Sequence, residues 1–307
     1  MLKDTFVASK STGLSLALLT VLLWSILPIA LVSILSVLDG ISITWFRFTV
    51  AAILCFCWQS YRGKLKEFTQ LTIKDWSVLT LAGLFLIADY VGFTLALNYI
   101  SAIAATVFSQ VTPFFLCLGG IILFKERLSL IQVLCFVCLF IGLVFFFNDS
   151  LTGVLTNTEM LITGAAIAVL SSLIWVFYAL LQKSLLKQLS STNILLFIYG
   201  LAIVILAPFS DVEALSQLDS YDWLVLIFCA LNTVIAYGAF AQSMKHIDTT
   251  QVSMLISTIP LFTIAMSYIA YMAWPKSFVF DEIDLVGWLG ILMVVASVIT
   301  FNQAGKE

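Results

Sequence analysis

Residues 75–113 recur at 222–260 with a constant offset of 147 positions, so this chain must fold in a way that uses one segment twice. Asp75-Trp76 falls on Asp222-Trp223, Tyr90 on Tyr237, Phe93 on Phe240, Ile100 on Ile247 and Pro113 on Pro260. A second match, at an offset of 151, places Gly13, Ala17 and Trp24 on Gly164, Ala168 and Trp175. Neither alignment needs a gap.

The duplicated material is apolar: 62% hydrophobic and 10% charged residues, with a mean hydropathy of +1.12, exclude an ordinary soluble domain. Crossing about 30 Å of hydrocarbon takes about 20 helical residues. Cut at charged or turn-rich breaks, the sequence gives ten such runs: 13–36, 42–60, 76–97, 101–124, 130–147, 160–182, 193–209, 222–244, 249–273 and 285–303. Short alternating segments of the outer-membrane barrel type are absent. The expected fold class is therefore all-α and membrane-integral, each helix satisfying its own backbone in lipid.

Basic residues alternate between successive connections. Lys3, Lys10, Arg62, Lys64, Lys66, Lys74, Lys125, Arg127, Lys183, Lys187, Lys245 and Lys306 fall on one side and only Lys276 on the other, which predicts that both termini are cytoplasmic. The resulting division is a cytoplasmic N-terminus (1–12), a first five-helix repeat (13–148), an extracytoplasmic linker (149–159), a second repeat (160–303) and a cytoplasmic C-terminus (304–307). Five is odd, so the second repeat enters the membrane from the opposite face. Inverted repeats are the architecture of alternating-access transporters, with the site near the midplane between them; duplication that merely builds a stable bundle is the alternative.

Several other readings weaken on inspection. The first span is too long for a signal peptide and is the repeat partner of 164–182. All six cysteines lie inside apolar spans, and Cys135-x-x-Cys138 has no neighbouring ligand candidates. Gly119-Gly120 is not followed by the Lys-Ser or Lys-Thr of a phosphate-binding loop, so no nucleotide or other cofactor is expected. The net charge of −3 implies no nucleic-acid partner.

Candidate site residues cluster at mid-membrane depth. Pro113 lies about 18 Å and Pro260 about 15 Å into their helices at about 1.5 Å per residue. Each proline removes a backbone donor. With Pro28 they are expected hinges, and Gln110, Thr112, Ser257 and Thr258 beside them are expected to line a cavity. Trp24 and its repeat partner Trp175 sit far from the interfaces where Trp is usual, and Tyr90, Tyr237 and Asn232 join them as candidate lining. Asp89 and Arg47 are charges at similar depth, each costing about 2.5–3.5 kcal/mol to insert. They form a structural ion pair, or Asp89 carries a proton or meets a cationic substrate group. Its repeat position holds Ala236. Glu126, at a basic turn, is expected to make a structural or gating salt bridge.

The stretch Leu97-Asn98-Tyr99-Ile100-Ser101-Ala102-Ile103-Ala104-Ala105, followed by Pro113-Phe114 and Phe124-Lys125-Glu126-Arg127-Leu128-Ser129, resembles the ten-helix EamA type of the drug/metabolite transporter superfamily. Arg47-Phe48 and Gly142 fit the same pattern. The second copy departs from it, with Ala273-Trp274-Pro275-Lys276 at the exit. The resemblance implies a multi-pass protein of a bacterial inner membrane that moves a small polar metabolite, such as an amino acid, often outward. The expectation is a secondary active transporter working by alternating access as a monomer or homodimer, with H+ coupling through Asp89. A solute channel is the alternative. A membrane enzyme would need a catalytic cluster, yet His246 is the only histidine.

Overall fold

The computed structural model describes residues 9–146, 159–273 and 284–304. The described residues are helical, with no strands. Twelve helices follow in order: α1 (Lys10–Ile34), α2 (Gly40–Tyr61), α3 (Ile73–Ala96), α4 (Ala102–Phe108), α5 (Val111–Phe124), α6 (Leu130–Phe146), α7 (Glu159–Leu185), α8 (Ser191–Leu206), α9 (Ser220–His246), α10 (Thr249–Ile256), α11 (Ile259–Ala273) and α12 (Leu285–Ala304). The linker expected at 149–159 lies almost wholly outside the described residues, as do Trp274, Pro275 and Lys276.

Eight stretches among the described residues are long and apolar enough to cross a membrane; α4 with α5, and α10 with α11, each count as one. Two of the ten expected runs are shorter, at Leu130–Phe146 and Leu285–Phe301. Large apolar side chains face outward in numbers, Ile122, Leu123, Leu134 and Val204 among them, as a lipid-facing surface requires.

Helix starts are set by polar caps. Thr72 and Asp75 close a capping box at α3, and Asp219 and Asp222 close another at α9. Buried hydroxyls are satisfied by carbonyls one turn back, as for Thr20 on Leu16, Ser172 on Ala168 and Thr233 on Cys229.

Helix association in lipid relies on close packing rather than on apolar burial. The main pairings are α1 with α9, α3 with α7, α2 with α8 and α6 with α12. Small residues permit them. A Cβ on Gly13 would lie 2.7 Å from Ile247 and 2.8 Å from His246; one on Gly164 would lie 2.7 Å from both Ile100 and Tyr99. Gly142 and Gly290 bring α6 and α12 together backbone to backbone.

The connections gather at two ends. At the basic end, Glu67 accepts hydrogen bonds from the Ser190 amide and Asn193, and Lys183 reaches Glu126. At the acidic end, Asp39 caps α2 and the Asp211 amide donates to Ser42.

Candidate functional site

Two helix breaks organise the centre. The run expected at 101–124 stops at Ser109 and Gln110 before resuming as α5, and that at 249–273 stops at Ser257 and Thr258 before α11. Pro113 and Pro260 follow by three and two residues, so in each case the break falls where the missing N–H frees a carbonyl one turn earlier. Neighbouring hydroxyls re-satisfy carbonyls here. Ser25 donates to the Ile259 carbonyl at 3.2 Å, and Ser253 donates to the Pro113 carbonyl in a short contact. Pro28, by contrast, lies inside an unbroken α1.

Beside these breaks is a cavity with about 130 Å³ open to the centres of water-sized spheres. At about 10–15 Å³ of such space per water it holds roughly ten waters, or about 300 Å³ of liquid, the scale of a small-metabolite site. Of the ten lining candidates read from the sequence, Trp24, Asp89, Tyr90, Gln110, Thr112, Trp175 and Tyr237 border it, as do Arg47 and Pro28. Asn232, Ser257 and Thr258 do not. Each turns its donor to a carbonyl: Asn232 to Leu23 at 2.7 Å, Ser257 to Ser253 at 3.0 Å and Thr258 to Leu255 at 2.6 Å.

The wall toward the basic end is aromatic. Trp24 packs edge-on against Trp175 at 5.5 Å and Tyr237 at 5.1 Å, and Trp175 Nε1 donates to the Tyr237 hydroxyl at 3.3 Å. Tyr90 adds a ring 5.3 Å from Tyr237. Along α1, α3 and α4 the lining comes from the half nearer the acidic end. Toward the basic end, Tyr178, Tyr199, Phe240 and Val252 are fully buried in a packed core.

The two membrane charges share the cavity without forming a direct ion pair, a correction to the simplest expectation. Among the described residues the salt bridge present is Lys183–Glu126. Asp89 is held by Ser171, whose hydroxyl lies 3.0 Å from Oδ1 and 2.8 Å from the Asp89 carbonyl oxygen. Arg47, 1% exposed, donates from Nε to Thr233 Oγ1 at 3.0 Å and rests over the Tyr90 ring at 4.6 Å. An ion taken out of water costs several kcal/mol, of which a desolvated cation–π contact offsets about 2 kcal/mol.

Four buried polar atoms of the lining have no hydrogen-bond partner among the described residues: Arg47 Nη2, the Tyr90 hydroxyl, Ser109 Oγ and Gln110 Oε1. Each such orphan costs about 1–3 kcal/mol. Their convergence is what a polar guest would relieve. No group of His, Cys, Asp and Glu that could hold a metal occurs among the described residues.

Glu126 belongs to a separate cluster at the basic end. Its carboxylate accepts from Lys183 Nζ at 2.7 Å and from the amides of Thr249 and Thr250, at 2.9 and 3.0 Å, at the start of α10. Lys183 also donates to the Thr249 hydroxyl in a short contact and lies over the Phe124 ring at 4.7 Å. Burial pushes the Glu126 carboxyl up, but Lys183 and the two amides outweigh it and hold it below the ordinary carboxylate value. Lys125, with φ 57°, makes the left-handed turn that aims Glu126 inward, and Gly120 leaves room for it.

Ser171, Thr106, Ser172 and Lys183 are participants that sequence did not single out. Ser172 stands three residues before Trp175 and Thr106 four before Gln110, both on a shared helix face, which is the signal that would have found them. Lys183 has no local signal, since its partner lies 57 positions away.

Comparison with known proteins decides the class. The profile of the EamA-like transporter family matches residues 11–148 and 162–303. The chain belongs to that family. It is thus a multi-pass membrane transporter and not an enzyme. A Haemophilus influenzae protein named "Uncharacterized transporter" is 33% identical over 94% of this chain and 93% of its own. The Escherichia coli K12 "Uncharacterized inner membrane transporter YhbE" is 34% identical over 92% of this chain and 89% of its own. One solved crystal structure, 16% identical, superposes with a TM-score of 0.75 over 96% of this chain and 99% of that one, a likeness of fold.

Proposed function

We propose that this transporter is a secondary carrier that moves a small polar metabolite of amino-acid scale across a bacterial inner membrane by alternating access, outward in exchange for protons. The observation that carries the reading is the cavity beside two broken helices, into which four unpartnered polar atoms and two unpaired charges converge. Ten helices in two inverted five-helix repeats, 13–148 and 160–303, form the proposed frame. Matched contacts support it: Gly13 meets the 246–247 pair while Gly164 meets the 99–100 pair, and α1 lies on α9 as α3 lies on α7. With the basic end cytoplasmic, the packed core and the Glu126–Lys183 cluster close the inner side and the cavity belongs to the outer half. Glu126 then serves as the inner latch.

Asp89 supplies the coupling on this reading. Its carboxylate accepts either a proton from outside or a positively charged group of the solute from inside. Because the two compete for one site, an inward proton gradient drives the solute out.

The test uses purified protein, screened for thermal stabilisation across a metabolite panel and then sealed in liposomes under a pH gradient. Saturable, pH-driven flux of the stabilising solute is expected, and Asp89→Asn is expected to abolish the pH dependence. Unchanged rate and pH dependence in that variant would refute the coupling role. Flux that rises without saturation would instead favour a channel.

A further inference from the structure

We propose that Arg47 is the anchor for a carboxylate on the transported solute, so that Arg47 and Asp89 together select zwitterions over ions of a single charge. The proposal rests on the carrier reading above and names the substrate class of the same cavity.

The guanidinium is fixed before any solute arrives. Thr233 spends its own proton on the Cys229 carbonyl at 2.9 Å and so accepts from Arg47 Nε at 3.0 Å. The Tyr90 ring covers one face at 4.6 Å. These contacts hold the planar fork in one orientation with Nη2 unpartnered at the cavity wall, and such a fork matches a carboxylate better than any point charge does.

Asp89 is the residue before Tyr90 on α3, and Ser171 engages only its Oδ1. The cavity therefore presents a cation and an anion that neutralise each other in sum yet make no direct contact. A simple cationic solute would satisfy Asp89 and leave the Arg47 charge buried and uncompensated; a simple anion would do the reverse. A solute carrying both an ammonium and a carboxylate satisfies both groups at once. The aromatic wall of Trp24, Trp175 and Tyr237 then faces the remainder of the solute.

The decisive measurement deletes groups from the ligand rather than from the protein. Full-length protein in nanodiscs is screened by thermal unfolding with the twenty L-amino acids, and the most stabilising one is compared with its carboxamide and its deaminated acid. Both analogues are expected to bind about tenfold or more weakly, because each leaves one buried charge unanswered. In Arg47→Gln the parent amino acid is expected to fall to the affinity of its carboxamide, while the carboxamide itself is unaffected. An amide that binds as tightly as the acid to the unmodified protein, or a screen in which no amino acid stabilises it, overturns the anchor even if Arg47→Gln fails to fold. Saturable liposome flux of some other solute would then leave the carrier reading standing. Binding with the expected preference but no saturable flux would overturn the carrier reading and keep the anchor.

Discussion

Replacing Lys183 with alanine is expected to open the basic end of the protein. The Lys183 and Glu126 side chains are 16% and 8% exposed and meet at 2.7 Å. Removing one member of a buried ion pair costs about 3–5 kcal/mol. Two amide hydrogen bonds to Glu126 survive the change and Lys183 keeps some contact with solvent, so the lower figure of about 2–3 kcal/mol applies. That loss falls on the closed state alone, and at about 1.4 kcal/mol per tenfold it raises the open fraction about 30- to 150-fold. The readout is alkylation of a cysteine at position 182 in a chain otherwise free of cysteine, since Gln182 is fully buried beside the latch on α7. When opening is fast relative to labelling, the rate follows the open population. A second reporter, Phe93→Cys at the cavity, should react more slowly in the same variant, because one end opens as the other closes. Equal labelling of position 182 with and without Lys183 would refute the latch. Acceleration at both reporters would mean general loosening instead.

Gly120→Ala should mimic that result without removing a charge, because the added Cβ would lie 2.6 Å from Glu126 Oε2 and displace the carboxylate; labelling at position 182 is again the check. Ser253→Ala removes the hydroxyl that satisfies the Pro113 carbonyl across the two breaks and should cost about 1 kcal/mol in thermal or denaturant unfolding. The depressed Glu126 carboxyl contributes stability above its unfolded value of about 4.3, and that contribution is lost only as pH falls through the lower folded value. Labelling at position 182, corrected for the thiol's own ionisation, should therefore be flat from about pH 5 to pH 8. A slope there would show that the latch titrates elsewhere.

Much of the fold was legible because hydropathy in a membrane chain leaves little choice: α2, expected at 42–60, runs from Gly40 to Tyr61, and α9, expected at 222–244, runs from Ser220 to His246. The small overruns come from capping by Asp39 and Asp219, which extends each helix into its polar flank. Trp24 and Trp175 were legible as cavity candidates because Trp at mid-depth is unusual. Asn232 looked equally good by depth alone, but it faces α1, where Leu23 offers a carbonyl. Helix rotation decides that, and a helix that is apolar all round encodes rotation weakly. The pairing of Asp89 failed for a related reason. Depth put Arg47 at its level, yet Ser171 on α7 and Thr233 on α9 took the two charges separately, and such contacts depend on how the helices pack.

Both charged devices break the internal repeat, and the break is directional. At an offset of 147, Asp89 falls on Ala236, Glu126 on Ala273 and Thr249 on Ala102; at an offset of 151, Lys183 falls on Val32. On the proposed inverted arrangement, the acidic end thus has none of the polar groups that fasten the basic end. Two halves of one ancestral unit would close either side equally well, and exchange would then be as easy empty as loaded. A latch on one side makes the empty carrier rest with its basic end shut, so closing the other end has to draw on the solute. A guest that neutralises Arg47 and Asp89 while partnering Ser109 and Gln110 supplies that energy where α3, α4 and α5 meet α1. Loaded and empty carriers then differ in which way they close, which is the condition for moving solute without leaking protons.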